Sequence, residues 1–151
     1  MIESYKDFSE TVSEIKKNFY RFRNGIVADS LRVLYKPGYT IFGLNVPQFM
    51  ELSRLYQHDI ELALQLWNDN SSRECRLMSL YLLPTENLDR KIAEKLIKEV
   101  ESTEQAEFLA FRVLRKLSYA SELLRDFSEK NIKEENVRYC MEMLKRNLNH
   151  I

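Results

Sequence analysis

Apolar residues recur along most of the chain at every third or fourth position, with polar residues between them. The clearest case is the set Leu88, Ile92, Leu96 and Val100, whose members are four residues apart. This spacing places apolar side chains on one face of an α-helix. No stretch of strand length alternates apolar and polar residues with a period of two. The pattern therefore predicts an all-α protein.

Turn residues divide the chain into about nine predicted helices. N-terminal helices are predicted in residues 1–36, and helix pairs in residues 47–148, with alternate helices beginning near residues 47, 72, 103 and 133. Such a recurrence is typical of helical hairpins stacked side by side. The prediction is a single all-helical domain, residues 1–151, built as an α-solenoid of antiparallel helix pairs (HEAT-like repeats). An irregular helical bundle is the alternative.

Polar residues that precede the apolar stripes predict where helices begin. Four helix caps are predicted in this way. They are Asp59, one residue of the Asn70–Ser72 segment, Ser102 with Thr103, and Thr85. Gly25 is predicted to stop the first helix, because glycine is the residue most often found just after a helix C-terminus.

Charge and composition exclude several classes of protein. The 23 basic residues equal the 23 acidic ones, so attraction to DNA would have to come from a local patch. The two cysteines, Cys75 and Cys140, lack metal-ligand spacing and are interpreted as buried thiols. The N-terminus lacks an apolar leader and no apolar run has membrane-spanning length, so we expect a cytoplasmic protein with no membrane association.

Self-standing catalytic motifs are absent from the sequence. There is no glycine-rich phosphate loop, no G-x-S-x-G turn and no H-E-x-x-H pair. The two histidines, His58 and His150, are far apart in the chain and predict no metal site. No cofactor is predicted.

Two groups of basic residues are candidates for binding phosphate. Arg73 and Arg76 share a face near a predicted helix N-terminus, where exposed N–H groups add to their charge. Arg112, Arg115 and Lys116 fall on one face of a later helix. In a solenoid the two groups would merge into one basic strip. The alternative is surface pairing with carboxylates, for which the candidates are Glu74, Glu107 and Glu122.

A third basic cluster contains Lys16, Lys17, Arg21 and Arg23, interleaved with aromatic residues. Basic and aromatic side chains together can bind a nucleic-acid backbone. Cations are also favourable at a helix C-terminus for electrostatic reasons alone, and we favour this second interpretation.

Three sequence motifs, in order, resemble those of the AlkD-like DNA alkylation repair family. They are the G-x-x-x-P segment Gly43–Pro47, the A-x-x-L-W segment Ala63–Trp67, and Arg73-Glu74-Cys75-Arg76 at a helix start. The similarity covers about residues 40–117. It implies a stack of HEAT-like repeats that binds duplex DNA on a basic concave surface. It further implies a glycosylase that excises N3- or N7-alkylated purines with the help of an aspartate and aromatic side chains.

The chain departs from that family pattern at the catalytic positions. The expected aspartate position is occupied by Tyr81 and an expected aromatic position by Leu77. A tryptophan-and-aspartate helix start, expected one repeat later, offers only Glu107 and Phe108 as substitutes. The resemblance therefore indicates a short, divergent member whose excision activity is in doubt.

The sequence leads to two hypotheses from different classes. The first is a DNA-binding protein of alkylation repair in which phosphates contact Arg73, Arg76, Arg112, Arg115 and Lys116, with Tyr81 or Trp67 as a nearby aromatic contact. Trp67 is better explained as a core residue, because it lies on the apolar stripe of its helix. The second hypothesis is a non-enzymatic HEAT-repeat scaffold that binds a protein partner, which the balanced net charge favours.

Overall fold

The structure, a computed structural model, describes residues 7–149, and these form nine α-helices, two 3-10 turns and no strand. The all-α prediction is confirmed. The helices are α1 (Ser9–Arg21), α2 (Gly25–Leu31), α3 (Val46–Ser53), α4 (Ile60–Asp69), α5 (Arg73–Leu82), α6 (Arg90–Glu99), α7 (Thr103–Arg112), α8 (Ala120–Glu129) and α9 (Glu135–Asn149). The 3-10 turns are Arg32–Leu34 and Leu114–Lys116. Residues 1–6 of the segment predicted to hold the N-terminal helices lie outside the described residues, as does His150.

The chain divides into two compact units, of which the first extends to Leu83 and the second begins at Pro84. Helices α1–α5 belong to the first unit and α6–α9 to the second. The single domain of residues 1–151 stays a prediction, because one domain can contain two such units.

In the first unit, α4 and α5 pack against each other more extensively than any other pair. Every residue of α5 is buried, and Trp67 on α4 is fully buried, which confirms its assignment to the core. The predicted starts of both helices are confirmed. Asp59 accepts hydrogen bonds from the first turn of α4, and Ser72 accepts one from the N–H of Cys75.

In the second unit, α7 packs mainly against α9. Ser102 caps α7 as predicted, accepting a hydrogen bond from the N–H of Gln105. The cap of α6 is Asp89, so the prediction of Thr85 is wrong. Thr85 instead begins a turn in which its carbonyl accepts a hydrogen bond from the N–H of Leu88. Asp89 then binds the N–H of Lys91.

Gly25 does not stop α1, contrary to the prediction. It is the first residue of α2, and Asn24 before it caps that helix by accepting hydrogen bonds from the N–H groups of Ile26 and Val27. Helix α1 ends earlier, at Arg21. An asparagine followed by a glycine fits both a helix stop and a helix start, so the sequence alone does not distinguish the two.

The two cysteines are free and buried, as predicted. Burial raises the pKa of the Cys140 thiol to about 12. Because the thiolate is the reactive form, we expect alkylation of Cys140 by iodoacetamide at pH 8 to be at least about a hundredfold slower in the folded protein than in the unfolded chain. Mass spectrometry of the Cys140 peptide after timed labelling measures the two rates. Equal rates would contradict the buried position of the thiol.

Candidate nucleic-acid interface

The first predicted pair of arginines lies next to a buried carboxylate. Glu74, on α5, is fully buried, and its two oxygens accept hydrogen bonds from the N–H groups of Phe42, Gly43 and Leu44, at 2.9, 3.0 and 3.3 Å. These three donors belong to consecutive residues of the loop before α3. A buried carboxylate needs such donors to replace water. Glu74 therefore fixes this loop against the start of α5.

Arg73 completes the same network. Its Nη1 donates to Glu74 Oε2 at 2.6 Å and to the carbonyl oxygen of Leu44 at 3.0 Å. The backbone N–H of Arg73 donates to the carbonyl of Thr40. Arg73 is buried, with only 4% of its surface exposed to solvent. The guanidinium thus neutralises the buried carboxylate and holds the loop at a second point.

Arg76 and Tyr81 are also buried, each against an aromatic ring. The Arg76 guanidinium lies 4.1 Å from the centroid of the Trp67 ring, and its Nε donates to the carbonyl of Trp67 at 3.0 Å. Tyr81 stacks on Phe49 with the ring centroids 5.4 Å apart. Exposure is 6% for Arg76 and 4% for Tyr81. Both side chains contribute to the core of the first unit.

The alternative interpretation was that the arginines pair with carboxylates on the surface. Arg73 does pair with Glu74, but the pair is buried. Contact of Arg73, Arg76 and Tyr81 with DNA stays a prediction. Such contact would require these side chains to leave the buried partners described above.

The second predicted group lies at the end of α7 and in the 3-10 turn that follows. Arg112, Arg115 and Lys116 lie within a segment of five residues. Partial burial lowers the pKa of Lys116, and the nearby charges of the two arginines lower it further. The positive charges of this group, called the cationic cluster below, therefore lie close together. Among residues 7–149, neither Arg115 nor Lys116 forms an ion pair. A cluster of this kind attracts anions.

An aromatic ring lies beside the cationic cluster. Phe111 is half exposed, and the Arg115 guanidinium stacks on it at 4.1 Å from the ring centroid. Arg115 Nε also donates to the carbonyl oxygen of Phe111 at 2.6 Å. A guanidinium held over an exposed ring presents both charge and a flat surface, the combination that binds phosphates and unstacked bases.

One turn before Phe111, the exposed residue Glu107 accepts a hydrogen bond from the phenol of Tyr139 on α9. The hydrogen bond to this carboxylate raises the pKa of Tyr139. Glu107 and Phe111 share a face of α7, because they are four residues apart. The exposed face of α7 thus presents a carboxylate, an aromatic ring and a guanidinium in sequence. Phe111 and Tyr139 were not predicted as site residues.

Arg73 and Arg76 belong to the first unit and the cationic cluster to the second. The continuous basic strip therefore stays a prediction. Within the described range, no group of three or more histidine, cysteine or acidic side chains is arranged to hold a metal ion, and no helix is long and apolar enough to cross a membrane.

Residues 15–138 match a family model described as DNA alkylation repair enzyme. The chain belongs to this DNA alkylation repair family. The match confirms the resemblance in the motifs from Gly43 to Arg76, and it also includes the cationic cluster. No curated protein and no solved structure matches the chain.

In this member of the DNA alkylation repair family, the three motifs meet in the first unit. Gly43 and Glu74 are joined through the backbone of the loop, and Arg76 covers Trp67. The motifs therefore have a structural explanation that is independent of any contact with DNA.

Proposed function

We propose that this protein binds duplex DNA in alkylation repair and that the cationic cluster of the second unit contacts the phosphates. The supporting observation is the proximity of Arg112, Arg115 and Lys116, together with the absence of ion pairs at the last two among the described residues. Neutralising phosphates with such cations releases counterions from DNA, which supplies most of the affinity of sequence-independent binding. Family membership supports DNA as the anion.

In this proposal Arg73, Arg76 and Tyr81 act indirectly. Their side chains maintain the loop before α3 and the core around Trp67, so a substitution there would affect DNA binding through the fold. We also propose that the helices stack as HEAT-like repeats. The close packing of α4 with α5, and of α7 with α9, supports that arrangement.

Excision of alkylated purines would need an anionic group near the sugar, because the transition state is cationic. Glu107 is the carboxylate best placed on the proposed surface, but the phenol of Tyr139 already binds it. The position where the family pattern expects an aspartate is occupied by the buried Tyr81. We therefore infer weak excision or none. Release of 3-methyladenine or 7-methylguanine from methylated duplex DNA, compared in the wild type and Glu107→Gln, measures it.

The DNA-binding proposal predicts a salt-dependent loss of affinity in variants of the cluster. Titration of a labelled duplex at several salt concentrations gives the slope of log affinity against log salt. For the double variant Arg115→Gln/Lys116→Gln we expect the magnitude of this slope to fall by about 2, roughly one for each lost phosphate contact.

Lys91→Gln provides a matched control, since Lys91 is an exposed lysine of the same unit. The single Lys91→Gln substitution removes one positive charge outside the cluster and should change the slope little. Equal slopes for the wild type and the double variant would contradict phosphate contact at the cluster. Absence of binding by the wild type at low salt would overturn the proposal.

A groove between α8 and α9 supports the second candidate function, a protein-interaction scaffold. The groove has a volume of about 410 Å³. Its lining includes the apolar residues Phe127 and Met141, three cations, Lys130, Arg138 and Lys145, and one carboxylate, Glu142. Charge complementarity favours an acidic peptide with apolar side chains as its occupant. Loss of binding to a fluorescent acidic amphipathic peptide in Lys130→Glu/Lys145→Glu would support this candidate, and no binding by the wild type would exclude it.

A further inference from the structure

Lys116 lines a small polar pocket as well as belonging to the cationic cluster. The pocket lies within the second unit and has a volume of about 370 Å³. Its walls come from two segments, the turn before α6 and the residues between α7 and α8. The lining residues are Thr85, Glu86, Asn87, Lys116, Leu117, Ser118 and Tyr119.

The amine of Lys116 has the properties of a nucleophile. Lys116 lines the pocket, and within the part of the chain that the structure describes it forms no ion pair. Partial burial and the nearby charges of Arg112 and Arg115 lower its pKa, which increases the fraction of neutral amine at neutral pH. Lysines that attack carbonyl groups are activated in this way, by desolvation and by neighbouring cations.

The walls of the pocket are held in place by two hydrogen bonds to backbone carbonyl groups. The Tyr119 hydroxyl donates to the carbonyl of Leu88 at 2.5 Å, which joins the two segments. The turn from Thr85 to Leu88 is closed by its own hydrogen bond and places Asn87 at a φ of 58°. Residues with hydroxyl and amide groups therefore line the pocket together with Lys116. Such a lining suits a small sugar rather than an apolar molecule.

We propose that Lys116 forms a Schiff base with the aldehyde of a ring-opened abasic deoxyribose in DNA. The inference rests on the proposed function, since the DNA would be held by the cationic cluster. The proposed reaction is an activity additional to DNA binding. Its substrate is the sugar that remains after a base has been lost, whatever removed the base. The pocket volume accommodates one such sugar. Arg115, next to Lys116 in the chain, would bind a flanking phosphate.

The chemistry needs neither an oxidant nor a reductant. The neutral amine of Lys116 attacks C1′ of the aldehyde and forms a carbinolamine. The carbinolamine takes up one proton from solvent and loses one water molecule, which gives the protonated imine. The imine then withdraws electrons from C2′, whose proton passes to a base. Glu86 is the one carboxylate among the seven lining residues and is assigned this role. The C3′–O bond breaks, the 3′ phosphate leaves, and water hydrolyses the unsaturated imine to release Lys116.

Borohydride trapping tests the proposal directly, because borohydride reduces an imine to a stable secondary amine. A labelled duplex with one abasic site is incubated with the wild type, Lys116→Arg or Lys91→Arg in the presence of sodium borohydride. We expect a covalent adduct with the wild type and with Lys91→Arg, and at least a tenfold smaller yield with Lys116→Arg. Peptide mapping of the adduct should place the modification on Lys116.

Binding to the same duplex, measured without borohydride, separates the two possible failures. Adduct yields of the wild type and Lys116→Arg are compared at DNA concentrations that saturate each protein, so that a difference in affinity does not enter the comparison. Binding without an adduct overturns the Schiff-base proposal and leaves the DNA-binding proposal standing. Absence of binding by the wild type contradicts both. An adduct of undiminished yield in Lys116→Arg would show that another amine reacts, and would also overturn the assignment.

Discussion

Replacing Glu74 with glutamine is expected to lower the free energy of unfolding by about 3–5 kcal/mol, the usual effect of removing one partner of a buried ion pair. The substitution keeps the shape of the side chain but removes its charge. Arg73 then remains buried without a counter-charge at the 2.6 Å contact. In addition, the glutamine NH₂ group would face a backbone N–H of the loop in place of an acceptor oxygen.

Urea denaturation of the wild type and Glu74→Gln measures the difference. Glu51→Gln is a matched control, because Glu51 is an exposed glutamate of α3 in the same unit. The control should change the free energy of unfolding by less than about 0.5 kcal/mol. A Glu74→Gln variant within about 1 kcal/mol of the wild type would show that the network does not stabilise the first unit.

A double-mutant cycle with Arg73→Gln sharpens the test. If Arg73 and Glu74 stabilise each other, the loss in the double variant is smaller than the sum of the two single losses, by about 1–3 kcal/mol. Additive losses would indicate that each side chain acts only through its separate bonds to the loop.

Local features of the fold could be predicted from the sequence, because neighbouring residues determine them. Asp59 and Ser102 cap their helices as expected, since a cap depends on residues two or three positions away. The prediction of Thr85 as the cap of α6 was wrong, because Asp89 is also a good capping residue and lies closer to the apolar stripe of α6. The proximity of Arg115 and Lys116 to Arg112 was likewise predictable, as all three belong to one turn of chain.

The environment of Arg73 could not be predicted, because it depends on a loop about thirty residues earlier in the sequence. Spacing indicated a solvent-facing pair of arginines, but Leu44 and Glu74 enclose the guanidinium in the folded chain. The hydrogen bond between Tyr139 and Glu107 is a similar case, since it joins α9 to α7 across 32 residues. Contacts of this kind decide which charged residues are free to bind a ligand, and periodicity alone does not supply them.

Gly43→Ala is expected to destabilise the protein by about 2–5 kcal/mol through two separate effects. The φ of Gly43 is 89°, a left-handed conformation that costs an alanine about 1–2 kcal/mol. A Cβ at this position would also lie 2.4 Å from the carbonyl oxygen of Asn24 and 2.9 Å from the backbone nitrogen of Ala28. Both atoms belong to the start of α2, so relief would require the helix or the loop to move.

Gly38→Ala separates the conformational effect from the clash. Gly38 has nearly the same φ, 83°, but a Cβ there would meet no atom within 4 Å. Its substitution should therefore cost only about 1–2 kcal/mol. Urea denaturation of both variants measures their free energies of unfolding. The amount by which Gly43→Ala loses more than Gly38→Ala gives the cost of separating α2 from the loop that Glu74 binds. Equal losses would mean that α2 moves away freely, and the close approach of the two backbones would then not explain why the motif begins with glycine.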